Sequence, residues 1–196
     1  MFTLTDQSSV PIKTVSYEKS NTNFEKYFFL GKVTVWTLKE WEDRIAQNFE
    51  RRFWIDGGEN PNERRPDLIN RREIYKDVVG ASQEWTDYQL RCNFPIALVV
   101  APEMFDPHRA WKSLETAKRV ILGPLGMRTL DPSDWNYRGD YHNDNDSNDK
   151  SVAHGWNYHQ GPEWVWPVGF FLRARLHFAK IVGGTELLEK TVAETR

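Results

Sequence analysis

The chain has one cysteine, Cys92, so no disulfide can form within it and its thiol content gives no sign of an oxidising compartment. Long apolar runs are missing too. No stretch approaches the length of a membrane span, and the opening Met1-Phe2-Thr3-Leu4-Thr5-Asp6 lacks the basic and apolar regions of a secretory leader. A cytoplasmic protein is expected, which makes the glycosylation triplet Asn145-Asp146-Ser147 incidental. Nor is there surplus positive charge. A net charge of −2 and an isoelectric point near 6.2 provide no basic surface for nucleic acid or an anionic membrane, which points to a neutral partner. No phosphate-cradling glycine loop, Cys–His nucleophile arrangement or zinc spacing occurs. Asp144-x-Asp146-x-Asn148 opens like a calcium loop, but Asp149 stands where Gly is needed and Gly155 where Glu is needed. No metal and no cofactor are therefore expected.

What the chain does have is tryptophan, nine in 196 residues, which suggests stacking platforms but is equally consistent with core filling, and composition alone does not choose. Three of them fall in the densest stretch of the sequence, His154-Gly155-Trp156-Asn157-Tyr158-His159-Gln160-Gly161-Pro162-Glu163-Trp164-Val165-Trp166-Pro167. From Val165 onward, Val168, Phe171, Leu172, Leu176, Ala179 and Val182 recur at helical spacing, with Arg173, His177 and Lys180 on a narrower polar stripe. The spacing predicts a largely buried helix opened by Gly161-Pro162, with Glu163 in its first turn. A carboxylate there would face unpaired backbone N–H groups and the positive end of the helix dipole, a setting suited to a base. Glu is also an ordinary first-turn residue. The surrounding His, Gln, Asn and Trp, able to bind hydroxyls and stack on sugar rings, favour the chemical reading.

Earlier in the chain, residues 1–36 read as an irregular or extended N-terminal segment with one short strand at Gly31–Trp36, and residues 37–196 as the helical portion. Thr37-Leu38-Lys39-Glu40 has the form of a capping box, and Leu38, Trp41, Ile45, Phe49 and Phe53 then supply an apolar face up to Asp56-Gly57-Gly58. Nearly forty irregular residues follow, to Cys92. A short buried helix is expected from Asn93-Phe94-Pro95 to Pro102, with a strand as the competing reading, and another helix from Asp106-Pro107 to Gly123-Pro124. The second long irregular stretch runs to Gly161, and Gly183-Gly184 separates the last helix from a weak amphipathic tail. Long and short connections thus alternate, which for antiparallel helices puts both long loops at one end, where they can enclose a pocket. The fold class expected is all-α.

The run Gly155 to Trp164, continuing to Phe171-Leu172-Arg173-Ala174, closely resembles the C-terminal glucosidase domain of eukaryotic glycogen debranching enzymes. Upstream segments match in order: Ile74-Tyr75-Lys76-Asp77, Gly80-Ala81-Ser82, Asp87-Tyr88-Gln89-Leu90-Arg91, Gly123-Pro124-Leu125-Gly126-Met127 and Thr129-Leu130-Asp131-Pro132. The resemblance implies a partial (α/α)6 barrel, a twelve-helix ring of which this chain would supply four or five helices. It further implies hydrolysis with inversion of single α-1,6-linked glucose stubs on glycogen or limit dextrin, with Glu163 as the general base. Two carboxyl groups are needed for such a reaction. The family's general acid is an Asp within Trp-Met-Asp-Lys-Met-Gly, a string that does not occur here, so a C-terminal fragment with the base but without the acid is expected.

Asp87 and Asp131 fall on matching loop segments, where the family pattern suggests substrate positioning. Asp87, Arg91 and Asn93 are candidate sugar contacts, because paired hydrogen bonds from such residues can grip vicinal hydroxyls; an Arg–Asp pair holding the loop is equally consistent. The family has Pro where this chain has Cys92, which loosens the backbone just before Asn93. His159 and Gln160 are placed to orient substrate or water, with loop bonding as the alternative, and Trp164 offers a stacking face. Besides the hydrolase, a non-catalytic glucan-binding or regulatory remnant and another α-glycosidase or epimerase on the same barrel remain as readings.

Overall fold

The computed structural model describes residues 12–17, 31–60, 63–149, 151–152 and 157–195. The opening six residues lie outside these, as do His154, Gly155 and Trp156 of the dense run. The chain divides into two compact units, residues 1–48 and 49–196. In the first, β1 (Ile12–Tyr17) pairs antiparallel with β2 (Gly31–Trp36), and α1 (Leu38–Phe53) begins behind its capping box. The Glu40 N–H donates to Thr37 Oγ1 at 3.1 Å while the Thr37 N–H donates to Glu40 Oε2 at 2.8 Å, so two otherwise orphaned donors are satisfied reciprocally. The expected apolar face of α1 is split in its surroundings: Leu38, Trp41 and Ile45 are exposed, whereas Phe49 and Phe53 pack on the core of the second unit, to which they belong.

Helices dominate the second unit. α1 ends at Phe53 in a two-residue strand, β3 (Trp54–Ile55), which pairs with β4 (Ile74–Tyr75) and places both strands in the core. Phe49, Phe53, Tyr75 and Phe105 form an aromatic cluster there, with ring centroids 4.7–5.0 Å apart for the closest pairs. α2 (Phe94–Val100) settles the short apolar run as a helix, and α3 (Pro107–Val120) starts at Asp106, whose carboxylate accepts from the Arg109 N–H at 2.9 Å. α4 (Trp166–Glu194) packs against both. Small residues at the contacts, Ala110, Ala117 and Ala174, let the helices approach while Leu98, Leu114, Phe171 and Phe178 fill the space. No helix among the described residues is long and apolar enough to cross a membrane.

Two expectations about the last helix meet different outcomes. Its start is not at Pro162: Glu163-Trp164 form a strand, β6, paired with β5 (Met127–Arg128), and the helix begins at Trp166 with Pro167 in its first turn. Both prolines suit a helix start locally, and the pairing with β5 decides between them. The Gly183-Gly184 interruption stands as expected. Gly184, at φ 60° and ψ −148°, occupies backbone space closed to other residues, and the tail folds back. Arg175 and Glu194 would stand about 28 Å apart along a continuous helix. Instead Arg175 Nη2 lies 3.0 Å from Glu194 Oε2, with Nη1 2.7 Å from Glu115 Oε1 and Lys118 Nζ 2.6 Å from Glu194. The guanidinium also lies over the Trp111 and Phe171 rings.

The two long loops are fastened to each other. Asn70 and Arg71 reach Ser133, Arg71 forms a bidentate pair with Asp131, and the Asp131 N–H donates to Leu90 O at 3.1 Å. Burial alone would raise the Asp131 carboxyl, but the Arg71 guanidinium and the Ser133 N–H and hydroxyl outweigh it and hold the group below the usual carboxylate range. Stability from this pair is therefore present above the unfolded-state value and is lost as pH falls through the folded one. Two outcomes are expected in urea unfolding. Asp131→Asn lowers stability by an amount that is constant above about pH 5 and shrinks below about pH 4. Arg175→Ala costs about 3 kcal/mol by removing a buried guanidinium from Glu115, Glu194 and the Trp111 and Phe171 rings, and adding Glu115→Gln recovers part of it, Glu194 keeping Lys118.

Candidate active site

After α3 the chain reverses through residues 122–126, with the Gly123 N–H donating to Gly126 O at 2.8 Å and the Arg128 N–H to Ile121 O at 2.7 Å. The reversal delivers β5 alongside β6 in a register that sets Arg128 opposite Glu163. Opposite charges across a strand pair attract. Here Arg128 Nη2 is 3.2 Å from Glu163 Oε1, while the other oxygen, Oε2, accepts from the Leu125 N–H at 3.2 Å. The carboxylate lies directly over Gly123, where a Cβ would overlap it. One oxygen is thus held by an ion pair and the other by a backbone hydrogen bond, and the side chain is still 22 % exposed. A carboxylate has about four lone-pair positions, so two donors leave room for a water.

Next to this strand pair, Arg91 gathers two of the other expected residues, His159 and Gln160, together with Gln89. Its Nη1 donates to His159 O at 2.7 Å and its Nη2 to Gln160 Oε1 at 3.1 Å, while Nε and Nη2 both reach Gln89 Oε1, at 2.9 and 2.7 Å. Burial lowers the guanidinium from its usual value, with Asp77 and Asp134 pulling the other way. Gln160 Oε1 also accepts from Asn136 Nδ2 at 3.2 Å, and Gln89 Nε2 donates to buried Asp134 at 3.1 Å. The His159 ring is exposed and lies against Tyr158, centroids 4.0 Å apart. Thr129 ties this network to the strand: its hydroxyl accepts from the Gly161 N–H at 2.9 Å and its N–H donates to Pro162 O at 3.3 Å.

The remaining expected residues are placed differently. Asp87 does not meet Arg91; it accepts from the Gly80 and Ala81 N–H groups at 2.7 and 3.0 Å, pinning a turn in which Gly80 has φ 82°. Asn93 makes no side-chain cap for α2 and donates instead to Asp77 Oδ1 at 2.9 Å. Asp131 is engaged by Arg71 and Ser133 and is 1 % exposed. Trp164 donates its indole N–H to Tyr158 O at 2.7 Å and joins Tyr141 and Tyr158 in an aromatic cluster. A cavity of about 210 Å³ opens beside Asp87, lined by Arg64, Arg65, Glu84 and Tyr88 among others, and Glu163 does not line it. Among the described residues no group of three His, Cys, Asp or Glu side chains could hold a metal.

Sequence reasoning passed over Arg128, Gln89, Asp134 and Asn136. Arg128 sits between two matched segments, and only its place across from Glu163 marks it out. Gln89 lies inside a matched segment, and its alternation with Asp87 and Arg91 was the available signal.

Comparison with known proteins bears on this geometry. Residues 7–195 match the family described as amylo-alpha-1,6-glucosidase. Over 145 residues, 71 % of its length, the chain is 49 % identical to the glycogen debranching enzyme of Saccharomyces cerevisiae, and it spans 9 % of that protein. The family match covers nearly the whole chain, including both long loops and the turn that mounts Glu163, and the chain therefore belongs to the amylo-alpha-1,6-glucosidase family.

Proposed function

We propose that this chain carries the water-activating half of a glucosidase that removes single α-1,6-linked glucose stubs from glycogen or limit dextrin. The observation that carries the reading is the mount of Glu163: a part-exposed carboxylate held through one oxygen by Arg128, through the other by a backbone N–H, and seated against Gly123, where a larger residue would displace it. In this reading Glu163 accepts a proton from water as the water oxygen attacks the anomeric carbon. The C1–O6 bond breaks on the opposite face, and a carboxylic acid delivers its proton to O6. The product is glucose of inverted anomeric configuration. The family's acid motif does not occur in these 196 residues, so that proton comes from outside them. Arg91, His159 and Gln160 hold the loop that presents the base, and Trp164 offers an aromatic wall. The helices are read as part of an (α/α)6 barrel, supported by the alternation of long and short connections and by the stitching of both long loops at one end.

A second reading, glucan binding without turnover, is favoured by the Arg128–Glu163 ion pair together with the missing acid motif. α-Glucosyl fluoride separates the two, because fluoride leaves without a proton and the acid is bypassed. The 196-residue chain is expected to bind limit dextrin without releasing glucose and to release fluoride from the small substrate. Glu163→Gln lowers that release by about 10²–10⁴-fold, since an amide cannot take the water's proton. Gly123→Ala is expected to lower kcat with little change in KM, because it shifts the carboxylate without touching substrate. Fluoride release unaffected by Glu163→Gln rules out the base assignment, and no release by the unaltered chain favours binding alone.

A further inference from the structure

The two long loops also meet at a place the glucosidase chemistry leaves unused. Trp85, in the 3-10 turn Glu84–Tyr88, and Trp135, just past buried Asp134, lie with ring centroids 5.2 Å apart and planes turned by 69°. Trp135 is 69 % exposed, although the turn that carries it is firmly built. The Asp134 carboxylate takes the Asn136 N–H at 2.8 Å and Gln89 Nε2 at 3.1 Å, and the Asp134 carbonyl accepts from the Tyr137 N–H at 3.0 Å. Exposing a large indole wastes the area it would bury in a core, and fixing it in that exposed position favours a ligand that stacks on it. Groups able to bind hydroxyls lie close by in the chain: exposed Ser133, two residues before Trp135 and bonded to exposed Asn70, and exposed Arg138, whose guanidinium donates to the carbonyls of Trp135 and Tyr137. An apolar plane bordered by hydrogen-bonding groups is the pattern that recognises a sugar ring.

We propose that Trp85 and Trp135 form a stacking platform for an α-1,4-glucan chain, a binding site separate from the Glu163 turn. The inference rests on the reading of this chain as a glucan-acting domain. The angle between the planes selects the ligand within that class. Successive rings of an α-1,4-linked chain turn relative to one another, whereas those of a β-1,4-linked chain form a flat ribbon that two planes 69° apart cannot both follow. The platform shares a scaffold with the candidate active site, because Asp134, which supports Trp135, is bonded to Gln89, and Gln89 accepts from Arg91. A glucan lying on the platform would be held by the same two loops that present Glu163.

The test is binding of maltoheptaose to the 196-residue chain, followed by tryptophan fluorescence and by retardation in glycogen-containing gels. Trp135→Ala and Trp85→Ala are each expected to weaken binding by about tenfold, and Trp135→Phe to restore most of it. Trp135 is too exposed for its removal to open a core cavity, and circular dichroism checks that each variant is folded. Trp41→Ala, which removes an indole 52 % exposed in the other compact unit, is expected to change nothing. Cellohexaose is expected not to compete. The platform is overturned if the unaltered chain is not retarded by glycogen, if both alanine variants bind as the unaltered chain does, or if cellohexaose competes as well as maltoheptaose. Fluoride release reports independently on Glu163, so normal binding by the tryptophan variants alongside a dead Glu163→Gln removes the platform and leaves the base. The reverse pattern removes the base and leaves the platform.

Discussion

The candidate site depends on one half-buried guanidinium. Arg91 spends its donors on neutral acceptors: the amide oxygens of Gln89 and Gln160 and the carbonyl of His159. Removing a cation from water is costly, and the cost is tolerable only when its donors are met by well-aligned acceptors. The planar fork of arginine can do this from one position, and a lysine ammonium cannot. Because the acceptors come from both long loops, satisfying Arg91 and closing the loops over each other are the same event. The Thr129 bonds then carry that arrangement to the strand bearing Glu163.

The three carboxylates expected at the site are sorted by what they hold. Asp87 holds a glycine turn through two backbone N–H groups, and Asp131 holds Arg71 and Ser133. Both are buried and committed to the shape of the loops. Glu163 is held by the Arg128 ion pair and the Leu125 N–H but stays reachable. Rigidity here comes from the main chain: a tight reversal supplies the Leu125 N–H, and Gly123 supplies the space.

The legible parts of the chain were those written in local chemistry. The Thr37 capping box, the Asp106 cap, the brief apolar run of α2 and the double glycine of α4 each state their meaning within a few residues, and the structure follows them. The start of α4 was misplaced because Pro162 and Pro167 make the same local argument, and β5, distant in sequence, settles it. The same limit hid Arg128, which carries no signal until the strands are paired. Density of polar and aromatic residues marked out His159, Gln160 and Trp164, but whether each faces a ligand or its own loop depends on neighbours contributed by the other long stretch. Helical periodicity says nothing about how four helices would close into a ring.

The bonds that define the site span long reaches of chain: sixty residues from Arg71 to Asp131, sixty-eight from Arg91 to His159 and sixty-nine from Arg91 to Gln160. Each closes a large loop and brings its entropic cost before any reward, so such contacts form late. Helices α2 and α3 can assemble on their short connection while both loops are still loose, and the site appears only when Arg91 finds its acceptors. The candidate site is therefore the last part to assemble and the first to be lost when the loops part, ahead of any melting of the helices beneath it.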